Sequence, residues 1–540
     1  MNKFWKSGDP FVWLSGVALM FCLLMIAGLL YLIAAKGLGF FWPADLAQLD
    51  LKDSSKLLGV ITGHENVRGY NAGPDAPEIY RTQLKIGNRD LYGLDFKWVD
   101  DDQIVNITHP KYAVVLERRE WGNMYGFIKE VDENGKAICS GNEECWPVLE
   151  AQVPKYRKIF DEIRSIEKGA IGGINMKMED LRIHIKALNR EGGNNQERIS
   201  KLEAEVKEQE GKYSEQEAKL TVLYQEFNKV RFIMTSIDGR EKEMPVGTVV
   251  KAYRPNAMSW PQKASMYAGN AWAFVSEEPR EANTEGGVFP AIFGTIMMVF
   301  LMSIVVLPFG VLAALYLREY AKQGVLVRLV RICVNNLAGV PSIVFGVFAV
   351  GFFIYGLGST IDGIFFRDAL PNPTFGTGGI LWASLTLALL TVPVVIVATE
   401  EGLAAVPKEI RDGSLALGAT KFETTWKIVI PSAMPAILTG LILAIARATG
   451  EVAPLMITGV VKLAPQLPID GYFPYLHLER KFMHLGFHIY DVGFQSPNVE
   501  AAKPMVYTTA FLLILIVVVL NMTAIVVRNR LRKKYTTSAV

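Results

Sequence analysis

One arginine and one glutamate stand inside apolar sequence, in ILAIARATGEVAPL from Ile442 to Leu455. Charged side chains are costly within a membrane-length apolar run, and they usually face a pathway or pair with each other. Arg447 and Glu451 are four positions apart, so on a continuous helix they share one face. A guanidinium presents a planar fork of donors that grips an oxyanion through two N–H groups at once. A carboxylate beside it can hold the fork in place, or accept a proton from a protonated oxyanion. Two readings stand from the residues alone: a structural ion pair that touches no ligand, and a ligand contact.

A second stretch, EEGLAAVPKEIRDGSLALGATKFETTWKIVIP from Glu400 to Pro431, carries charges of both signs between two apolar segments. It is longer than a tight connection needs. Its helical pattern is interrupted at Gly418 and resumes from Thr420. Two short helices about a glycine make a compact knob, suited to docking in a partner's groove.

The other reactive residues fall into smaller groups. Cys22 and Cys333 lie in apolar runs and read as small apolar side chains. Cys139 and Cys145 lie six residues apart in CSGNEEC. Their short loop leads us to expect a disulfide, with free thiols or a metal contact as the alternatives. His477, His484 and His488 cluster near the last apolar run, but Leu485 stands where an H-E-x-x-H site needs its glutamate. We expect no metal there and instead an interfacial helix over HLERKFMHLGFHIY. No G-x-x-x-x-G-K-[ST] stretch occurs in the 540 residues, so the chain carries no P-loop of its own. We expect no ATP hydrolysis and no cofactor in this chain.

Apolar runs position these groups. Half of the residues are hydrophobic, and they concentrate in runs near the length of about 17–25 residues that crosses a bilayer. The expected spans are Phe11–Ala35, Val288–Leu317, Ile332–Leu357, Ile380–Thr399, Pro431–Val461 and Pro504–Val527. The third contains Pro341, read as a kink. The net charge of +2 says nothing about partners, and no nucleic-acid partner is expected. The basic residues near span ends carry more information. Lys3 and Lys6 precede the first span. Arg318, Lys322, Arg328 and Arg331 follow the second, and Lys408, Arg411, Lys421 and Lys427 lie between the fourth and fifth. Arg528, Arg530, Arg532, Lys533 and Lys534 follow the sixth. Six crossings with both termini in the cytoplasm place all four clusters there, on a multi-pass protein in contact with membrane lipid.

The long stretch between the first two spans has soluble character. Alternation around turn residues predicts β segments over 56–150 and 232–260. Between them, Ile171, Ile174, Met178, Leu181, Ile185 and Leu188 recur at steps of 3 and 4. So do Ile199, Leu202, Val206, Gln209, Tyr213, Gln216, Leu220, Leu223, Phe227 and Val230, after a turn at Arg190–Asn195. This predicts an antiparallel coiled-coil hairpin over 155–231, which is either a docking arm or a charged helix pair with no partner. The expected organisation is an N-terminal span in 1–36, an extracytoplasmic insert over 37–286, a five-span core over 287–530 with its cytoplasmic loop at 400–431, and a tail over 531–540. The fold class is thus an all-α polytopic membrane protein with a β and coiled-coil insert.

The knob resembles the EAA loop of ABC importer permeases. Asp412, Gly413 and Ser414 stand for its Glu-Ala-Ala. Gly418, Ile428 and Pro431 follow at the spacing of that loop. NTEGG (283–287), NLAGVPSIV (336–344), IARATGEVAPL (445–455) and GFHIY (486–490) are similar to stretches of the PstA-type permease of the bacterial phosphate ABC transporter. This resemblance covers spans two to six and leaves the insert outside. It implies phosphate passage past Arg447 and Glu451, and docking of the 412–431 loop on an ATPase. It also implies assembly with a PstC-type second permease, a PstB-type ATPase dimer that binds the ATP, and a PstS-type phosphate-binding protein in the periplasm. Other oxyanions such as molybdate or sulfate, or a scaffold built on the coiled coil, are the alternatives.

Overall fold

A computed structural model describes residues 8–67, 79–192, 195–496 and 499–536. The chain divides into two compact units, Met1–Phe40 with Val288–Val540, and Phe41–Gly287. The first unit opens with helix α1, Asp9–Gly39. Its sequence between Asp9 and Lys36 is free of charge.

The second unit is built on antiparallel sheets. Strands β1 (Ala47–Leu51), β2 (Lys56–Val67), β3 (Ile79–Lys85), β4 (Phe96–Asp100) and β5 (Ile104–Thr108) form one sheet in the order β4-β3-β2-β1-β5. A second sheet takes β6 (Val114–Arg118), β7 (Met124–Glu133), β8 (Lys136–Ser140), β9 (Val230–Thr235), β10 (Glu241–Pro245) and β11 (Val249–Tyr253). Its order is β10-β9-β7-β6-β11, with β8 paired to β7. Alternate residues of β9, Val230, Phe232 and Met234, are buried, as the period of two requires.

Helix α2, Asn142–Arg164, covers this sheet with Cys145, Leu149, Val153 and Tyr156. The β reading over 142–150 is therefore corrected to helix. The burial of that face outweighs the penalties of Pro147 and Pro154, which disguise the helix in the sequence. A π-helical stretch, Ser165–Ile171, carries α2 into α3, Gly172–Glu191, and α4 returns over Gln196–Phe227. The two run antiparallel: Tyr224 Oη donates to Glu167 Oε1 at 2.6 Å, and Arg182 faces Glu210 at 3.7 Å. Val230, placed at the end of the heptad series, belongs to β9 instead. Gly193 and Asn194 of the expected turn lie outside the described residues. The strands end at Tyr253, and the residues to 260 expected as strand lead into a helix, α5, Trp260–Ser276. Its start is fixed by Ser259, whose backbone N–H donates to Gln262 Oε1 at 2.8 Å. A short ribbon of β12 (Pro279–Arg280) and β13 (Glu285–Gly286) closes the unit.

Further helices of the first unit include α6 (Phe289–Leu315), α7 (Val325–Leu337), α8 (Ser342–Ala349), α9 (Ile380–Ala404), α10 (Lys408–Ala416), α11 (Lys421–Thr424), α12 (Ile430–Gly450), α13 (Leu485–Tyr490) and α14 (Val499–Thr536). With their helical extensions, six helices among the described residues are long and apolar enough to cross a membrane: Asp9–Gly39, Phe289–Tyr320, Ser342–Phe365, Ile380–Ala404, Lys421–Gly450 and Val499–Lys533. The most enclosed is α9, whose Leu387 and Leu390 pack among Met298, Met302, Ala444 and Ala448. Glycine lets α9 and α12 approach closely, since a Cβ on Gly440 would lie 2.6 Å from the Ala398 methyl.

Several boundaries differ from those expected, the fifth span beginning at Lys421 rather than Pro431 among them. The third span begins at Ser342 rather than Ile332, because Ala338–Pro341 ends the separate amphipathic helix α7. The fifth span ends at Gly450, not Val461. The helix expected over 477–490 is reduced to Leu485–Tyr490. The backbone before it turns at 478–480, and its carbonyls cap α9: Ile380 N–H donates to Arg480 O and Leu381 N–H to Leu478 O. Those are donors that the first turn of a helix cannot satisfy internally.

Candidate functional site

Arg447 sits in the last turn of α12, and Glu451 is the residue just past its end, with extended backbone at φ −77° and ψ 136°. The expectation of a shared helix face is corrected accordingly. The pair spans a helix terminus, with Arg447 Nε 3.6 Å from Glu451 Oε1. A cation in the last turn also complements the negative end of the helix. Both side chains are partly exposed, Arg447 at 30% and Glu451 at 20%. Among the described residues the Arg447 guanidinium makes no hydrogen bond, and Glu451 is its one carboxylate within 4 Å. Its Nη fork is left without an acceptor among those residues. Gly450 and Pro454 bracket the site and are the stop signals that locate the helix end in the sequence.

The surrounding segments are tightly joined. A Cβ on Gly346 of α8 would lie 2.8 Å from the Pro454 Cα, and one on Gly486 would lie 2.8 Å from Val452. His484 Nδ1 accepts from Gly486 N–H at 3.1 Å and so opens α13. His484 Nε2 and both ring nitrogens of His488 are buried without a partner. Burial pushes the pKa of each down to about 4, so both rings are neutral near pH 7. No group of three or more His, Cys, Asp or Glu side chains fit to hold a metal occurs among the described residues. His477 is turned away to Asp470 and Glu479, each at 3.1 Å.

The knob is a separate construction. Gly418 turns the chain between α10 and α11 at φ +88°, a region that favours glycine. Thr420 caps α11, accepting from Glu423 N–H at 3.2 Å, while its own N–H donates to Glu423 Oε2 at 3.0 Å. Buried Ser414 and Thr424 join the two helices through a 2.9 Å hydroxyl contact. Asp412 and Gly413 lie on the exposed side of α10. Ile428 is half-buried, and Pro431 stands in the first turn of α12. Leu417 is 91% exposed, and the exposed rings of Phe422 and Trp426 stack on each other.

Glu319, at the end of the second span, was not foreseen and ties the knob down. Its carboxylate accepts from Arg411 Nη1 at 2.6 Å, and its carbonyl accepts from Lys421 Nζ. Arg411 Nη2 also donates to Leu403 O at 2.5 Å. In parallel, Arg331 of α7 donates to Glu400 at 3.0 Å, to Gln323 and to Leu317 O. The one signal in the sequence was an acid standing among basic residues from Arg318 to Arg331. In the other unit, Cys139 and Cys145 form a disulfide, Cα atoms 5.4 Å apart, that ties β8 to α2.

Residues 306–536 match the family described as "Binding-protein-dependent transport system inner membrane component". The chain is 28% identical over 273 residues to the probable ABC transporter permease protein YqgI of Bacillus subtilis, covering 49% of this chain and 86% of that protein. It is 39% identical over 172 residues to the phosphate transport system permease protein PstA 1 of Mycobacterium tuberculosis, covering 32% and 51%. It is 32% identical over 221 residues to the probable phosphate transport system permease protein PstA of Methanocaldococcus jannaschii, covering 40% and 67%. The match thus spans about half the length of the mycobacterial relative. Carrying the permease core and its loop, this chain belongs to the ABC importer permease family of binding-protein-dependent inner membrane components.

Proposed function

We propose that this chain is one permease subunit of an ATP-driven importer that carries inorganic phosphate across the bacterial inner membrane. The observation that carries the reading is Arg447. It is a guanidinium at the end of an apolar helix, partly exposed, with a donor fork that no acceptor among the described residues takes. Two parallel N–H groups match two oxygens of a phosphate. Glu451, at 3.6 Å, is close enough to orient the guanidinium and too far to occupy it with a hydrogen bond. The names of the relatives agree in kind.

In this reading the knob at 400–431 docks its exposed Leu417, Phe422 and Trp426 into a cytoplasmic ATPase dimer. Closure of that dimer on ATP moves the knob, and the ties through Glu319 and Glu400 carry the motion to the second span and to α7. A second permease and a soluble phosphate-binding protein complete the assembly. Both termini and the knob face the cytoplasm, where the basic clusters lie. The insert faces the periplasm, where its disulfide is stable.

The test is uptake of labelled phosphate by the assembled importer in proteoliposomes, with molybdate and sulfate as competitors. Saturable, ATP-dependent phosphate uptake, resistant to excess sulfate and molybdate, is expected. Preferential uptake of either competitor would overturn the choice of anion.

A further inference from the structure

The helix α5 shows two unlike faces. Tyr267, Asn270 and Phe274 turn to the chain that follows α1. Tyr267 packs on Phe41 with ring centroids 5.9 Å apart and on Trp42 at 6.1 Å, and Phe274 packs on Phe41 at 5.4 Å. Asn270 Nδ2 donates to Phe41 O at 3.1 Å, and Lys263 is paired with Asp45. Beside this packed face runs a stripe of Trp260, Ala264, Ala268 and Trp272, each four positions on, which winds through about 120° of the helix, with half-buried Ala264 and exposed Ala268 between the two tryptophans. Trp260 and Trp272 are 72% and 71% exposed. Lys263 is the one charged residue in the helix, and it lies on the packed side.

Chain continuity says what covers the open face. Phe41 follows the last residue of α1, Gly39, by two positions, so it lies within about 7 Å of the end of that span. A helix packed directly on Phe41 and Trp42 therefore meets the chain within a few residues of the end of that span. Its open face is uncharged, and two tryptophans about 18 Å apart stand at its ends. Tryptophan concentrates at the membrane–water interface, with its ring in the acyl boundary and its N–H among the headgroups. Small alanines between them let the helix lie close to the surface without deep insertion. We propose that α5 is an interfacial helix, resting its Trp260–Ala264–Ala268–Trp272 face on the lipid bilayer. It would hold the base of the insert against the membrane. The contact itself does not depend on the anion transported; only the choice of the periplasmic leaflet rests on the sidedness proposed above.

The experiment uses the full chain in phospholipid nanodiscs with Cys22 and Cys333 changed to alanine. Ala268→Cys is labelled with a nitroxide, and Lys201→Cys on exposed α4 serves as the aqueous control. Collision rates with oxygen and with a water-soluble nickel chelate are compared. Ala268→Cys should favour oxygen and exclude nickel, and Lys201→Cys should do the reverse. Adding Trp260→Ser and Trp272→Ser should raise the nickel accessibility at the Ala268→Cys label. If the label at 268 disturbs folding, Ala264→Cys on the same face gives the same reading. Nickel accessibility equal to the Lys201 control would overturn the proposal. So would nickel exclusion that appears only when other importer subunits are added, which would assign the face to a protein.

Discussion

The arginine of the membrane pair and the arginine of the knob are used in opposite ways. Arg411 is gripped: it donates to Glu319 at 2.6 Å and to Leu403 O at 2.5 Å, and its side chain is 21% exposed. Arg447 is held at one point only, with its partner at 3.6 Å and no hydrogen bond to the described residues. Saturating a guanidinium fixes two segments of chain to each other. Leaving its fork open costs stability, and that cost is offset when an oxyanion arrives. In the proposed function the difference separates a joint, which would transmit motion, from a contact, which would bind cargo.

The largest expected effect tests the contact. Arg447→Gln removes charge-assisted hydrogen bonds worth about 1.5–3 kcal/mol each, so phosphate uptake should fall by at least about tenfold. Assembly and ATP hydrolysis should persist. Arg447→Lys keeps the charge and loses the fork, so it should impair uptake less. Restored transport in Arg447→Gln with Glu451→Gln would reduce the pair to a structural one and erase the contrast with Arg411.

A smaller effect tests the joint. Glu319→Gln leaves Arg411 without its carboxylate, at a cost of about 1–3 kcal/mol. The change should loosen α10 without altering the anion site. Hydrogen exchange in α10 should rise by roughly tenfold or more, with phosphate affinity unchanged and ATP hydrolysis partly uncoupled from uptake. Unchanged exchange together with full coupling would mean that Glu319 is not the joint.

Much of this was legible before any coordinates. The spans follow from hydropathy, and the knob follows from charge, Gly418 and a helical period, all of which are local. The Glu319–Arg411 tie was not, because its partners lie 92 positions apart and each looks like an ordinary loop charge. The α5 helix was hidden because its open face is alanine and tryptophan rather than a repeat of large aliphatic residues. The end of α12 was readable from Gly450 but was overrun by the apolar residues beyond Glu451. Prolines 147 and 154 concealed α2 because the packing that outweighs them comes from strands distant in sequence.

The smallest effects lie in two glycines of the knob, five positions apart, that should respond with opposite sign. Neither would meet another atom within 4 Å of an added Cβ, so sterics do not distinguish them. Backbone conformation does. Gly418 sits at φ +88°, where an L side chain costs roughly 1–2 kcal/mol. Gly418→Leu should therefore distort the turn between α10 and α11 and weaken ATPase docking while the spans still insert. Gly413 lies within α10 with helical neighbours on both sides. There, alanine is favoured over glycine by up to about 1 kcal/mol. Gly413→Ala should firm α10, slow its hydrogen exchange by up to roughly fivefold, and leave phosphate affinity untouched. A gain in phosphate affinity from Gly413→Ala would show that the knob and the Arg447 site are one cooperative structure rather than a joint and a contact.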